Sequence, residues 1–290
     1  MGKVRWEEMF PDELLAAIAA CPVCYVPYGL AEPHGAYNAL GLDWLKATAI
    51  CERAAAAFGG VVAPPIAWHM QDMPGFDFCG HVGVRHPLTS AIGVGLFLQL
   101  VLYNLRALDA RGFHAAILVT GHYGGPERDM RLLADYYVRR TGSPMRIHAG
   151  SDAELIRHED YHGDHAGVCE TSQLLALRPE LVDLGRREEE SPNGPWAGTR
   201  FPLPDGRAPS RELGEKIVAS QIAHLGEIQQ ALLGAYRPLD GWQAPTLTDV
   251  EALWARFELR TRKYWVTAQT WDEYVNGKLP PFPGWEALGE

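Results

Sequence analysis

Val23-Cys24-Tyr25-Val26-Pro27-Tyr28, running on into Gly29-Leu30-Ala31-Glu32-Pro33-His34-Gly35, is the stretch on which the fold turns. Its first six residues are a short apolar run rich in β-branched and aromatic types, which reads as a strand buried on both faces. Ala115–Thr120 and Met145–His148 read the same way, as does the shorter Val61–Ala63. Helical patterns lie between and after these runs, at 12–20, 43–58, 90–111, 126–140, 167–178 and 210–234. Asp12 and Ser90 are the expected N-caps, and Gly112 and Gly142 the expected stops. Alternation of strand and helix implies right-handed crossovers and a mainly parallel sheet covered on both faces. The expectation is an α/β fold with its reactive groups in loops at the carboxyl ends of the strands.

Polar clusters fall at those loops. After Val23–Tyr28 come Glu32 and His34, two apart on an extended segment and so pointing the same way, with Asp43 at the start of the next helix. Two carboxylates and an imidazole at one strand end suit Zn²⁺, Mn²⁺ or Fe²⁺. Read alone, the same residues fit equally an N-capping Asp43 and two surface loop positions. After Ala115–Thr120 comes Gly121-His122-Tyr123-Gly124-Gly125, where a glycine-flanked His precedes a helix. It either reaches over the sheet or sits exposed in a turn. The third cluster, Asp164-His165-Ala166-Gly167-Val168-Cys169-Glu170-Thr171-Ser172, enters a helix. Asp164 and His165 read as orienter and proton shuttle, and Glu170 as a ligand or a buried carboxylate. The bland alternative is a helix N-terminus that favours acids through its dipole.

The rest of the chain narrows the function. A net charge of −10 excludes the basic face that a nucleic acid requires. Ala91–Leu105 is too short to span a bilayer, and acids crowd residues 1–20, so no membrane partner and a cytoplasmic location are expected. Five scattered cysteines, at 21, 24, 51, 79 and 169, suit a reducing compartment. Cys21-Pro-Val-Cys24 lacks a second such pair and reads as the start of a strand. Gly121–Gly125 has neither the Lys nor the spacing of a phosphate cradle, and His69, His81, His86 and His158 have no partner at metal spacing. Residues 186–210 read as a charged edge and a Pro/Gly loop. Five of the nine tryptophans (242, 254, 265, 271, 285) lie in the last 50 residues, where Thr248-Asp-Val-Glu251 reads as a capping box for a helix to about Tyr264. The chain therefore divides into a domain over 1–239 and a Trp-rich extension over 240–290, which packs on the domain or on a neighbouring subunit.

Over about residues 20–235 the three clusters resemble, in order and spacing, the creatininase (creatinine amidohydrolase) family. Its P-x-G-x-x-E-x-H-G…D segment is matched by Pro27…Asp43, its N-G-H loop by Thr120–Gly125, and its H-A-G-x-x-E-T-S segment by His165–Ser172. The resemblance implies a three-layer α/β sandwich, often hexameric, with two divalent metal ions per subunit (Zn, Mn or Fe). It implies that Asp43 bridges both ions, that Glu32 and His122 hold one, that His34 holds the other, and that a bridging hydroxide attacks an amide. His165, with Asp164, is assigned the proton transfer to the leaving nitrogen. Creatininase carries a second-ion Glu where this chain has Gly124, and Glu170 is the candidate to replace it. The family's substrate loop is barely recognisable at Gly80–Thr89, and Tyr161 and His162 stand where creatininase has an aromatic and an acid. Tyr161, His162, His81 and Tyr123 are the expected substrate contacts, in a pocket unlike that for creatinine. The expected activity is hydrolysis of a cyclic amide, a formamide or another small C–N bond substrate, in a homo-oligomer. The alternatives are a peptide-trimming metallohydrolase in cofactor maturation and a metal-binding oligomer without catalysis.

Overall fold

A computed structural model describes residues 3–70, 89–158, 161, 163–187, 206–269, 273 and 276–290. Its strands are β1 (Val23–Tyr28), β2 (Val61–Val62), β3 (His69–Met70), β4 (Ala91–Ile92), β5 (Ala115–Thr120) and β6 (Arg146–Ser151). Its α-helices are α1 (Pro11–Ala20), α2 (Leu42–Phe58), α3 (Val94–Asp109), α4 (Pro126–Thr141), α5 (Val168–Leu177), α6 (Arg211–Ala235) and α7 (Leu247–Thr261). Strands β2-β1-β5-β6 form one parallel sheet, while β3 and β4 pair in a small second one. Side-chain alternation along β1 explains the layers. Cys24, Val26 and Tyr28 enter a core shared with α3 and α4, whereas Val23 and Tyr25 face α2 and α6. The fold is a three-layer α/β sandwich. No helix among the described residues is long and apolar enough to cross a membrane.

The third layer is completed by the aromatic tail. Val250, Trp254 and Phe257 of α7, with Trp265 and Trp285, belong to the same core cluster as Phe97, Leu98 and Met130. Trp265 is fully buried, and its indole N–H donates to Thr261 Oγ1 at 2.8 Å, so its one polar atom is satisfied. Asp129 of α4 holds the tail by accepting from Val266 N (2.8 Å), Thr267 N (2.9 Å) and Thr267 Oγ1 (2.6 Å). Trp271 lies outside the described residues.

Several boundaries differ from the sequence reading for local reasons. α3 starts at Val94 rather than 90, because Ala91–Ile92 is taken up by pairing with His69–Met70. Ser90 accordingly caps no helix; its Oγ accepts from Ala31 N at 2.9 Å and donates to Ala67 O. α1 is capped at Phe10 instead of Asp12, since Pro11 occupies the first helical position and Glu13 takes the Phe10 N–H. The tail helix is capped by Thr246 with Asp249, two residues earlier than Thr248 with Glu251. The last strand spans Arg146–Ser151 rather than 145–148. Cys24 is buried in β1, where loss of solvent pushes its thiol up, away from redox reactivity. Residues 188–205 of the expected Pro/Gly loop, and 80–88 of the expected substrate loop, lie outside the described residues.

Candidate metal centre

β1 and β5 end side by side, with Tyr28 opposite Thr120. The next residue in each case is a glycine, and α2 is the reason. A Cβ on Gly121 would lie 2.1 Å from Asp43 O, and one on Gly29 would lie 2.3 Å from Trp44 N. With both positions bare, the first turn of α2 rests directly on the two strand ends. That contact carries Asp43 to the place where the loops after β1 and β5 deliver Glu32, His34 and His122.

Glu32, His34, Asp43, His122 and Glu170 are each no more than 4% exposed. Asp43 Oδ1 lies 3.1 Å from His34 Nε2, and its Oδ2 lies 3.3 Å from His122 Nδ1. The same His122 nitrogen is 3.1 Å from Glu32 Oε1, and His34 Nε2 is 3.7 Å from Glu170 Oε2. Asp43 is thus shared between two donor sets, Glu32–Asp43–His122 and His34–Asp43–Glu170, each with ligand atoms within 4.8 Å of one another. Glu32, His34 and His165 make a third such set.

Orientation and charge fit a divalent cation. His34 Nδ1 lies 3.0 Å from the Glu32 carbonyl, which can only accept, so Nδ1 carries a hydrogen, and Nε2, which faces Asp43, is the nitrogen that would offer its lone pair to a cation. That Nε2 and Asp43 Oδ2 are both buried, and neither makes an aligned hydrogen bond despite the short approaches. Buried polar atoms of this kind call for a partner. Burial alone would lower the His34 imidazolium, but Asp43, Glu170 and Glu32 outweigh it and raise it to about 9. Asp43 goes the other way: burial raises it, and His34 and His122 bring it well below the usual carboxylate range. The pocket attracts positive charge, and its N/O donor set suits zinc or manganese.

The proton-handling candidates lie beside these sets. The His165 ring is 4.4 Å from that of His34, and its Nε2 is 3.0 Å from Pro33 O. A backbone carbonyl thus meets His165, and a nearby carbonyl was one of the two partners, with Asp164, expected to fix its tautomer. Asp164 instead accepts from Cys169 N (2.7 Å) and Glu170 N (3.1 Å) at the start of α5. Tyr123 donates its hydroxyl to Asp164 O, and Tyr161 lies close to it with burial raising its phenol. His81 and His162 lie outside the described residues.

Two buried residues here escaped the sequence reading, Lys46 and Asp152, and a third, His69, was set aside there. Lys46 of α2 is 2.5 Å from Glu170 Oε1 and 3.5 Å from Asp152 Oδ1. Asp152 directly follows β6, so the rule of strand carboxyl ends points to it. Burial raises Asp152 to about 6 against the pull of Lys46. His69 is fully buried beside His122, its Nε2 3.1 Å from Thr120 Oγ1.

Comparison with known proteins matches residues 7–228 to the family described as creatininase, creatinine amidohydrolase. The chain is similar to the creatinine amidohydrolase of Pseudomonas putida, 27% identical over 244 residues, 75% of this chain and 91% of that one. It is also similar to the mycofactocin precursor peptide peptidase of Mycobacterium ulcerans (strain Agy99), 28% identical over 218 residues, 71% of this chain and 75% of that one. A crystal structure of creatinine amidohydrolase superposes with a TM-score of 0.65 at 25% identity, over 82% of this chain and 100% of that one. A mutant creatininase of Zn-Zn type and a creatininase with Mn each give 0.64 at 26% identity, with the same coverage.

Proposed function

The chain belongs to the creatininase family of hydrolases, and from that premise we propose a metal-dependent hydrolase acting on a small C–N bond substrate, a cyclic amide or a formamide. The observation that carries this reading is the sharing of Asp43 between two buried donor sets. We assign one divalent ion to Glu32, Asp43 and His122 and a second to His34, Asp43 and Glu170. Ions bound there would polarise the substrate carbonyl and lower the pKa of an attacking water.

The chain's own residues supply the rest of the chemistry. Pro33 O holds the hydrogen on His165 Nε2, which leaves Nδ1 as the basic nitrogen to carry a proton to the departing amine. Tyr123 and Tyr161, with His81 and His162, are assigned to substrate contact, and Asp164 fixes the α5 turn that presents His165 and Glu170. Residues 1–239 form the catalytic domain in this reading, 240–290 an extension, and the assembly is a homo-oligomer such as a hexamer.

The similarity to a mycofactocin precursor peptide peptidase supports a second reading, cleavage of a short peptide. A panel of lactams, formamides and short peptides, offered to zinc- or manganese-loaded protein and scored for new amines, separates the two. Turnover confined to peptides overturns the small-amide reading. No turnover on any member, with the ions bound, favours a metal-binding protein without catalysis.

A further inference from the structure

Lys46 follows Asp43 by three residues, so both project from one face of α2. Its side chain is completely buried, and an ammonium group is held in such a place only when paired. Its ion-pair partners are Glu170 Oε1 at 2.5 Å and Asp152 Oδ1 at 3.5 Å, and the Tyr123 ring centroid is 4.8 Å away. Asp152 is held in turn by amide donors from Gln173 and Gln221 at 3.0 and 3.2 Å. Glu170 therefore faces two ways. One oxygen meets the fixed ammonium, while the other accepts from Ala166 N at 2.8 Å and lies 3.7 Å from His34 Nε2. Among the described residues, the ion-pair partners of Glu32 and Asp43 are the imidazoles of His34 and His122, and neither carboxylate is in ion-pair contact with Lys46.

We propose that Lys46 is a positioning residue that makes the two ion positions unequal, weakening the one at His34–Asp43–Glu170 and leaving Glu32–Asp43–His122 the tighter. The proposal rests on the two-ion reading above. A monovalent cation one carboxylate away repels a divalent ion and takes part of the charge of its ligand, in surroundings that screen poorly. The arrangement lets the second ion exchange while the first stays. A purely structural salt bridge makes the opposite forecast, because losing it strands two buried acids and loosens the site.

Zinc titration of chelator-stripped protein, with melting temperature followed alongside, decides between these. The unaltered chain should take up zinc in two unequal steps. In Lys46→Met the weak step should tighten by at least about tenfold, although the stripped variant melts lower than the stripped parent. Lys46→Gln, which keeps a donor but no charge, should tighten it too and serves if the methionine variant does not fold. Glu170→Gln should lose the weak step alone, and loss of its tight step instead overturns the proposal. A weak step unchanged or weakened in the folded Lys46 variants also overturns it. A parent chain that takes up no zinc refutes the metal reading itself. A single step that becomes two in Lys46→Met supports the proposal.

Discussion

Gly121 and Gly234 are both glycines, yet their surroundings forecast opposite results for substitution by Ala. A Cβ at Gly121 would overlap Asp43 O at 2.1 Å, so either the end of β5 or the first turn of α2 must move. Gly121→Ala is expected to cost roughly 1–3 kcal/mol, as overpacking does, and to weaken ion binding because Asp43 moves with its backbone. Gly234 is exposed on α6 with nothing within 4 Å of a Cβ, so Gly234→Ala should leave stability level or raise it by up to about 1 kcal/mol. Denaturant melts of the pair, with zinc content, check both signs. His165 is a different case, since its ring touches His34 without occupying either donor set that shares Asp43. His165→Ala should keep bound metal and slow turnover by roughly 10²–10⁴-fold. Loss of metal together with activity would make it a ligand.

Among the elements, α4 and the segment after α7 meet at Asp129, which belongs to none of the candidate ligand sets. Burial raises its carboxyl to about 6, against hydrogen bonds from Thr267 and Val266 that pull it down. A carboxyl raised on folding binds its proton more tightly in the folded state, so its contribution is complete below about pH 4 and is lost as pH rises through 6. Between those limits the change is roughly 2–3 kcal/mol. Asp129→Asn removes that slope. The melting-temperature gap between parent and variant should therefore narrow from pH 4 to pH 7, and a gap that widens would show the ionised form to be the one the tail prefers. Elements were legible in the sequence to the extent that burial made them continuous. Val23–Tyr28 and Ala115–Thr120 were readable end to end, because parallel strands covered on both faces leave unbroken apolar runs. The two-residue ladder of β3 and β4 was not, since neither half exceeds the noise of composition, and its absence from the reading displaced the start of α3. At the site, strand-end placement drew attention to Glu32, His34 and His122. Lys46 stayed hidden because a lysine on a helix usually faces water, and only its partners, 106 and 124 residues away (152 − 46 and 170 − 46), reveal it as buried.

For the whole molecule, the aromatic tail core and the candidate ligand sets are built from different residues, and this makes their failures separable. Ion removal acts through the strand ends. Chelation should abolish hydrolysis and lower the melting temperature, and re-added zinc or manganese should restore both, by an increment that grows with free ion because only the folded chain holds the ligands together. The aromatic core acts through the layer of α3, α4 and α7. Trp265 is fully buried between α7 and the α3–α4 face, 5.9 Å from Trp254 and 5.5 Å from Phe257 between ring centroids. Trp265→Ala should leave a cavity costing roughly 3–5 kcal/mol, and so lower the melting temperature by roughly 5–15 °C in a chain of this size. It removes no candidate ligand, and Asp129 still has the Val266 and Thr267 donors to hold the segment. At temperatures well below its lowered midpoint the variant should therefore bind the same zinc per chain with the same affinity. A Trp265→Ala protein that is folded by far-UV circular dichroism but has lost zinc would show that the extension shapes the ion site directly.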